Sequence, residues 1–166
     1  MTSRSDLRWN SHVHHITSKC SKRLYLLIQL KRANIVEKDV LQFYKSCIRS
    51  VLEYAAIVFH QSQPKCLSED IERIQRRVLS IIYPDREYKD ALTESGQITV
   101  YERRELASET FFQRILDNPS HKLYNLISKA ATEPFHNLLH KRLINIPKTE
   151  RFKNTFLVAN SLKVNN

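Results

Sequence analysis

Few side chains in this sequence have the type and spacing for covalent or metal chemistry. His12, His14 and His15 lie near Cys20, yet two adjacent histidines on a helix point about 100° apart and cannot both face one ion. No Cys-x-x-Cys pair and no knuckle-like Cys/His spacing occurs, so neither a metal nor a cofactor is expected. Cys66 and His60 form the nearest thiol–imidazole combination, but no orienting acid or oxyanion donor accompanies them. A single glycine cannot write a dinucleotide fingerprint or a Walker phosphate loop. What remains is recognition without covalent chemistry.

Charge gives that recognition its direction. The 166 residues carry 27 Lys and Arg against 17 Asp and Glu, a net charge of +10. A basic surface attracts nucleic acid through counterion release and long-range steering. His12, His15, Lys19 and Lys22 recur at helical spacing, and no Asp or Glu occurs between Asp6 and Glu37. Lys19, Lys22, Arg23, Lys31 and Arg32 are therefore candidate phosphate contacts. Further along, Glu69 precedes Arg73 and Glu72 precedes Arg76 by four residues, the favourable orientation for surface ion pairs. Only Arg77 is left over there, and it joins the candidates. Near the C-terminus Arg151 and Lys153 interleave with Phe152 and Phe156, which either stack on bases or pin the arm to the bundle.

The elements that position these residues are helical. One Gly and five Pro argue against a sheet, and 42% hydrophobic residues argue against wholesale disorder. Trp9, Val13, Ile16, Cys20, Leu24 and Leu27 mark one stripe of a first helix from about Asn10 to Leu30. A second helix is expected over Glu37–Phe59, burying Val40, Tyr44, Cys47, Val51 and Tyr54 or Ala55. Ser68 is the expected N-cap of a third helix with Ile71, Ile74, Val78 and Ile81 inward. A short helix over Tyr88–Ser95 closes at Gly96, and Thr99-Val100-Tyr101-Glu102 reads as a capping box opening a helix to about Leu116. His121 to Ala130 suggests one further pair of turns. The expected organisation is a lead-in over 1–8, one all-α helical bundle over 9–130 and a basic arm over 131–166.

Four segments in order carry a resemblance. Asp6-Leu7-Arg8-Trp9-Asn10-Ser11-His12-Val13, then Tyr44 to Ala55, then Ile71 to Arg77, then Thr149 to Phe156, resemble the region following the palm in reverse transcriptases of non-LTR, LINE-type (jockey-like) retrotransposons. Trp9, Tyr44, Arg49, Tyr54 and Gln75 are its motif positions in this chain. The resemblance implies a thumb and C-terminal segment that holds template–primer duplex, RNA–DNA or DNA, without reading sequence. It also implies loss of catalysis. Polymerisation needs carboxylates that hold two metal ions, and this chain has no Asp-Asp pair; Glu69-Asp70 suits a helix N-terminus better. A non-catalytic fragment is therefore expected. A palm domain or a second copy of the chain is a further expected partner, and the alternative is a helical protein-interaction module or a remnant without a selected function. An odd cysteine count without framework spacing, and no apolar leader or spanning run, point to an intracellular protein, in nucleus or cytoplasm, that does not enter membranes.

Overall fold

The computed structural model describes residues 9–127, 149 and 154–165, and among these no strand occurs. The fold is all-α. Its residues group into two compact units, one drawn from Met1–Ala56 and Gln63–Arg104, the other from Ile57–Ser62 and Glu105–Asn166.

In the first unit, α1 spans Asn10–Arg32. It buries Val13, Ile16, Cys20, Leu24 and Leu27 along the expected stripe, with Trp9 only 7% exposed at its start. Asn34, in the left-handed region at φ 53, turns the chain after it. α5, Lys65–Ile82, packs against α1 and buries Ile71, Ile74, Val78 and Ile82. It starts one turn earlier than Ser68, directly after Pro64, whose fixed φ and missing N–H suit a helix start. Ser68 sits inside the helix, and its hydroxyl accepts a hydrogen bond from Arg104 at 2.9 Å.

α6, Tyr88–Ser95, ends on Gly96 at φ 62, a conformation that a side chain would strain. α7, Val100–Asp117, opens with the expected capping box. The Thr99 N–H donates to Glu102 Oε2 and the Glu102 N–H to Thr99 Oγ1, both at 3.1 Å.

The stretch expected as one long helix is broken. It runs as α2 (Glu37–Phe43), a π-helical turn (Tyr44–Arg49), α3 (Ser50–Leu52), a tight turn, and α4 (Ala56–Phe59). Its buried residues include Leu41 and Phe59 and the series Val40, Tyr44, Ile48, Leu52 and Ala56, but not Cys47, Val51 or Tyr54. The positions of that series are four apart. On a straight α-helix each step of four overshoots a full turn by about 40°, so five such residues drift off one face. The wider π-turn absorbs the drift. Its carbonyls are served from α1: Arg23 donates to the Cys47 carbonyl and Cys20 Sγ to that of Ile48 at 3.6 Å. Ala55 then adopts φ 57, an unusual value for a residue with a Cβ.

A polar network fastens this broken helix to α5. The Tyr44 hydroxyl, fully buried, donates to Gln75 Oε1 at 2.5 Å. Gln75 Nε2 donates to the Ile98 carbonyl at 2.9 Å and to the Tyr88 hydroxyl at 3.3 Å. Tyr88 in turn donates to Glu72, and Arg76 lies 5.1 Å above the Tyr88 ring. Burial pushes both tyrosine hydroxyls well above their ordinary range, so they remain donors. The expected pairing of Glu72 with Arg76 is replaced by these contacts, and Arg73 pairs with Asp70 at 3.0 Å rather than Glu69.

Arg104 is also fully buried, held by the Val100 carbonyl (3.1 Å), Gln63 Oε1 (3.2 Å) and Ser68. Burial lowers its pKa to about 10, with Glu72 the largest influence the other way, so it stays charged at neutral pH.

In the second unit Phe112, Ile115 and Ile127 form a core joined by Phe111, Phe156 and Leu157. Phe156 stacks within it, 5.7 Å from Phe111 and 6.1 Å from Phe112, so this residue anchors rather than offers a base platform. It begins a helix, α8 (Phe156–Asn165), within the segment expected as a partly ordered arm. His60 Nε2 lies 2.6 Å from Glu105 Oε2, and Lys163 pairs with Glu105 and Glu109. Of the turns expected from His121 to Ala130, a 3-10 turn at Tyr124–Leu126 is present; residues 128–130 lie outside the described part.

Two stability measurements follow. Gln75→Leu leaves the buried Tyr44 hydroxyl and Ile98 carbonyl unpaired and should cost about 2–4 kcal/mol in urea unfolding; a cost below about 0.5 kcal/mol contradicts the network. Ala55→Gly relieves the left-handed backbone and should stabilise by about 0.5–1 kcal/mol, net of the added unfolded-state entropy.

Candidate nucleic-acid interface

The candidate cations divide sharply by what they touch. Lys19 and Lys22 on α1, Arg32 at its end and Arg77 on α5 are exposed, and among the described residues their side chains make no hydrogen bond or ion pair. Arg23 is half-buried and holds the Cys47 carbonyl, so it supports the π-turn instead of facing solvent. Lys31 donates to the Ile82 carbonyl at 2.9 Å and pairs with Glu37 at 3.1 Å. A cation at the last carbonyls of α5 complements that helix's dipole. Arg151 and Lys153 lie outside the described residues, as do Asp6, Leu7 and Arg8.

The motif positions turn out to be largely architectural. Trp9, Tyr44 and Gln75 are buried. Arg49 donates to Gln97 Oε1 at 2.6 Å and lies 3.8 Å from Glu53. Arg103, which no pattern singled out, donates to Glu53 at 2.5 Å. Tyr54 differs from the rest. The turn after Leu52 swings it outward, leaving it 57% exposed.

That turn opens a cleft of about 300 Å³ within the first unit. α1 contributes His12, His15, Ile16 and Lys19; the opposite wall is Ser50, Val51 and Tyr54. Among the described residues no carboxylate lines it. Glu53, the nearest acid in sequence, is engaged by Arg49 and Arg103. His15 and Lys19 are exposed at the rim, while His12, expected on the surface stripe, is only 2% exposed. Its ring meets Trp9 edge-on at 6.1 Å. Burial lowers the His12 pKa, His15 adds a smaller push the same way, and a backbone hydrogen bond at Tyr54 opposes them. The available signal is spacing: His12 lies three residues after Trp9 and four before Ile16, on the edge of the apolar stripe, although its polar ring argues for the surface.

For other chemistry the residues give little. Among the described residues no group of three His, Cys, Asp or Glu is placed to hold a metal. Cys20 is buried and its thiol is pushed up to about 11, mainly by burial. Cys66 is exposed, and His60 is committed to Glu105. No helix among the described residues is long and apolar enough to cross a membrane. Comparison with family models, with characterised proteins and with solved structures finds no match.

His12 sets a pH dependence whose sign is fixed. Its folded pKa lies below the ordinary 6.5, so the unfolded chain takes the proton first. Stability is then complete above that value and is lost as the pH falls through it. Melting should drop between about pH 7.5 and about pH 5.5 by more in the wild type than in His12→Leu. An equal drop in both removes His12 as a cause.

Proposed function

We propose that this chain is a non-catalytic, thumb-like nucleic-acid-binding module that holds duplex through phosphates without reading sequence. The observation that carries this reading is the exposed stripe of His15, Lys19 and Lys22 on α1, with no ion partner among the described residues and no acidic residue between Asp6 and Glu37. A rigid helix presenting unpaired cations displaces counterions from a phosphate backbone without base contacts. Resemblance to the post-palm region of non-LTR retrotransposon reverse transcriptases supports the same reading. On that view the chain corresponds to the segment that follows the palm in an RNA-directed DNA polymerase, acting inside the cell.

A second reading is a helical protein-interaction module, self-association included. Tyr25 and Leu26 on α1 are 64% and 52% exposed, and Leu26 follows Lys22 by four residues. A salt-insensitive dimer in light scattering, with no affinity for nucleic acid, would favour it.

Anisotropy titrations with blunt duplex test the first reading. Affinity should fall steeply with salt, and Lys19→Ala with Lys22→Ala should lower the log–log salt slope by about 2. Arg23 should be spared in that variant, because its removal disturbs the π-turn. A slope that the double variant leaves unchanged removes α1 from the interface.

A further inference from the structure

The cleft beside the stripe has a composition that a smooth phosphate-binding surface does not need. It joins a fixed cation, Lys19, and a rim histidine, His15, to an outward aromatic ring, Tyr54, across a space of about 300 Å³. That volume is at the small end for ligand pockets. Ser50 adds a hydroxyl whose proton goes to the Ser46 carbonyl at 2.5 Å, so its oxygen can only accept from a ligand. An anionic group beside an aromatic face is the chemistry of a nucleoside phosphate.

We propose that this cleft holds one unpaired nucleotide of a nucleic-acid strand, its phosphate on Lys19 and His15 and its base against the Tyr54 ring. The proposal rests on the nucleic-acid reading above and narrows its ligand. A base inside a duplex is stacked on both faces and paired along its edge, so it has no face free for Tyr54. A base at an overhang or frayed end has one. Two features fix the backbone turn that carries the ring. The turn at Glu53–Ala55 is fixed by the Glu53–Arg103 contact (2.5 Å), and the left-handed Ala55 reverses the chain immediately after Tyr54. The chain should therefore prefer strand ends and single-stranded overhangs to blunt duplex. Stacking of one base on an aromatic side chain contributes about 1–3 kcal/mol, so the preference should be at least about fivefold.

The test is anisotropy at one salt concentration with the full chain and two labelled probes, a blunt duplex and the same duplex with a short single-stranded overhang. The overhang probe should bind at least about fivefold tighter. Tyr54→Ala, with helical circular dichroism unchanged, should bring it down to the blunt level, and Tyr54→Phe should keep the preference. Equal binding of the two probes, or a preference that survives Tyr54→Ala, overturns the cleft assignment and leaves the duplex reading standing. Failure of both probes to bind overturns the two together. Unlabelled adenosine monophosphate serves as the remaining arm. If it displaces the overhang probe at concentrations comparable to an unlabelled overhang strand, the ligand is a free mononucleotide and the strand assignment fails.

Discussion

A helix that must bury every fourth residue cannot remain a regular α-helix, and the rest of the first unit depends on that conflict. Val40, Tyr44, Ile48 and Leu52 reach the core because the turn from Tyr44 to Arg49 widens into a π-helix. Widening alters the carbonyl ladder, and α1 answers it with Cys20 and Arg23. The same adjustment aims the Tyr44 hydroxyl at Gln75, which ties the broken helix to α5 and, through Tyr88, to α6. It also ends the helix early, at Leu52, and turns Tyr54 toward solvent opposite Lys19. A packing requirement thus creates a place in this unit where an exposed aromatic ring faces a cation across a cleft.

Charge is distributed by the same logic. A net charge of +10 says only that cations exceed acids. The fold assigns several of them internal tasks: Arg23 on the π-turn, Lys31 on the end of α5, Arg49 and Arg103 around Glu53, and Arg104 fully buried. Each of these is close to an acceptor that would otherwise be left in a low-dielectric setting. Lys19, Lys22, Arg32 and Arg77 carry no such task among the described residues and are exposed. The distinction is between cations that stabilise the bundle and cations that leave it attractive to an anion, and it cannot be drawn from charge counts.

Much of the fold could be read from residue order, and the failures have physical causes. The stripe of α1, the stop at Gly96 and the Thr99–Glu102 box are local signals, and each appears where expected. The π-turn is not local. A run from Glu37 to Phe59 without Gly or Pro reads as continuous helix, and only the cost of misplacing Ile48 and Leu52 breaks it. Ser68 looks like a cap until Pro64 starts the helix earlier and Arg104 takes the hydroxyl. The candidate site was half legible: Lys19 and Lys22 follow from spacing, whereas the roles of Arg23 and Lys31 depend on carbonyls 24 and 51 residues away in sequence. Phe156 was ambiguous between stacking and anchoring, and its contacts with Phe111 and Phe112 decide for anchoring.

The central claim is that the unpaired cations of α1, and not the cations tied into the bundle, meet a polyanion. Amide and side-chain NMR shifts of the isotopically labelled chain during titration with duplex at low salt read this directly, residue by residue. The account predicts changes concentrated on His15, Lys19, Lys22 and their neighbours on α1, with Arg104, Gln75 and the Phe112 core unmoved. Changes confined to other elements, or a spectrum indifferent to nucleic acid, would contradict it.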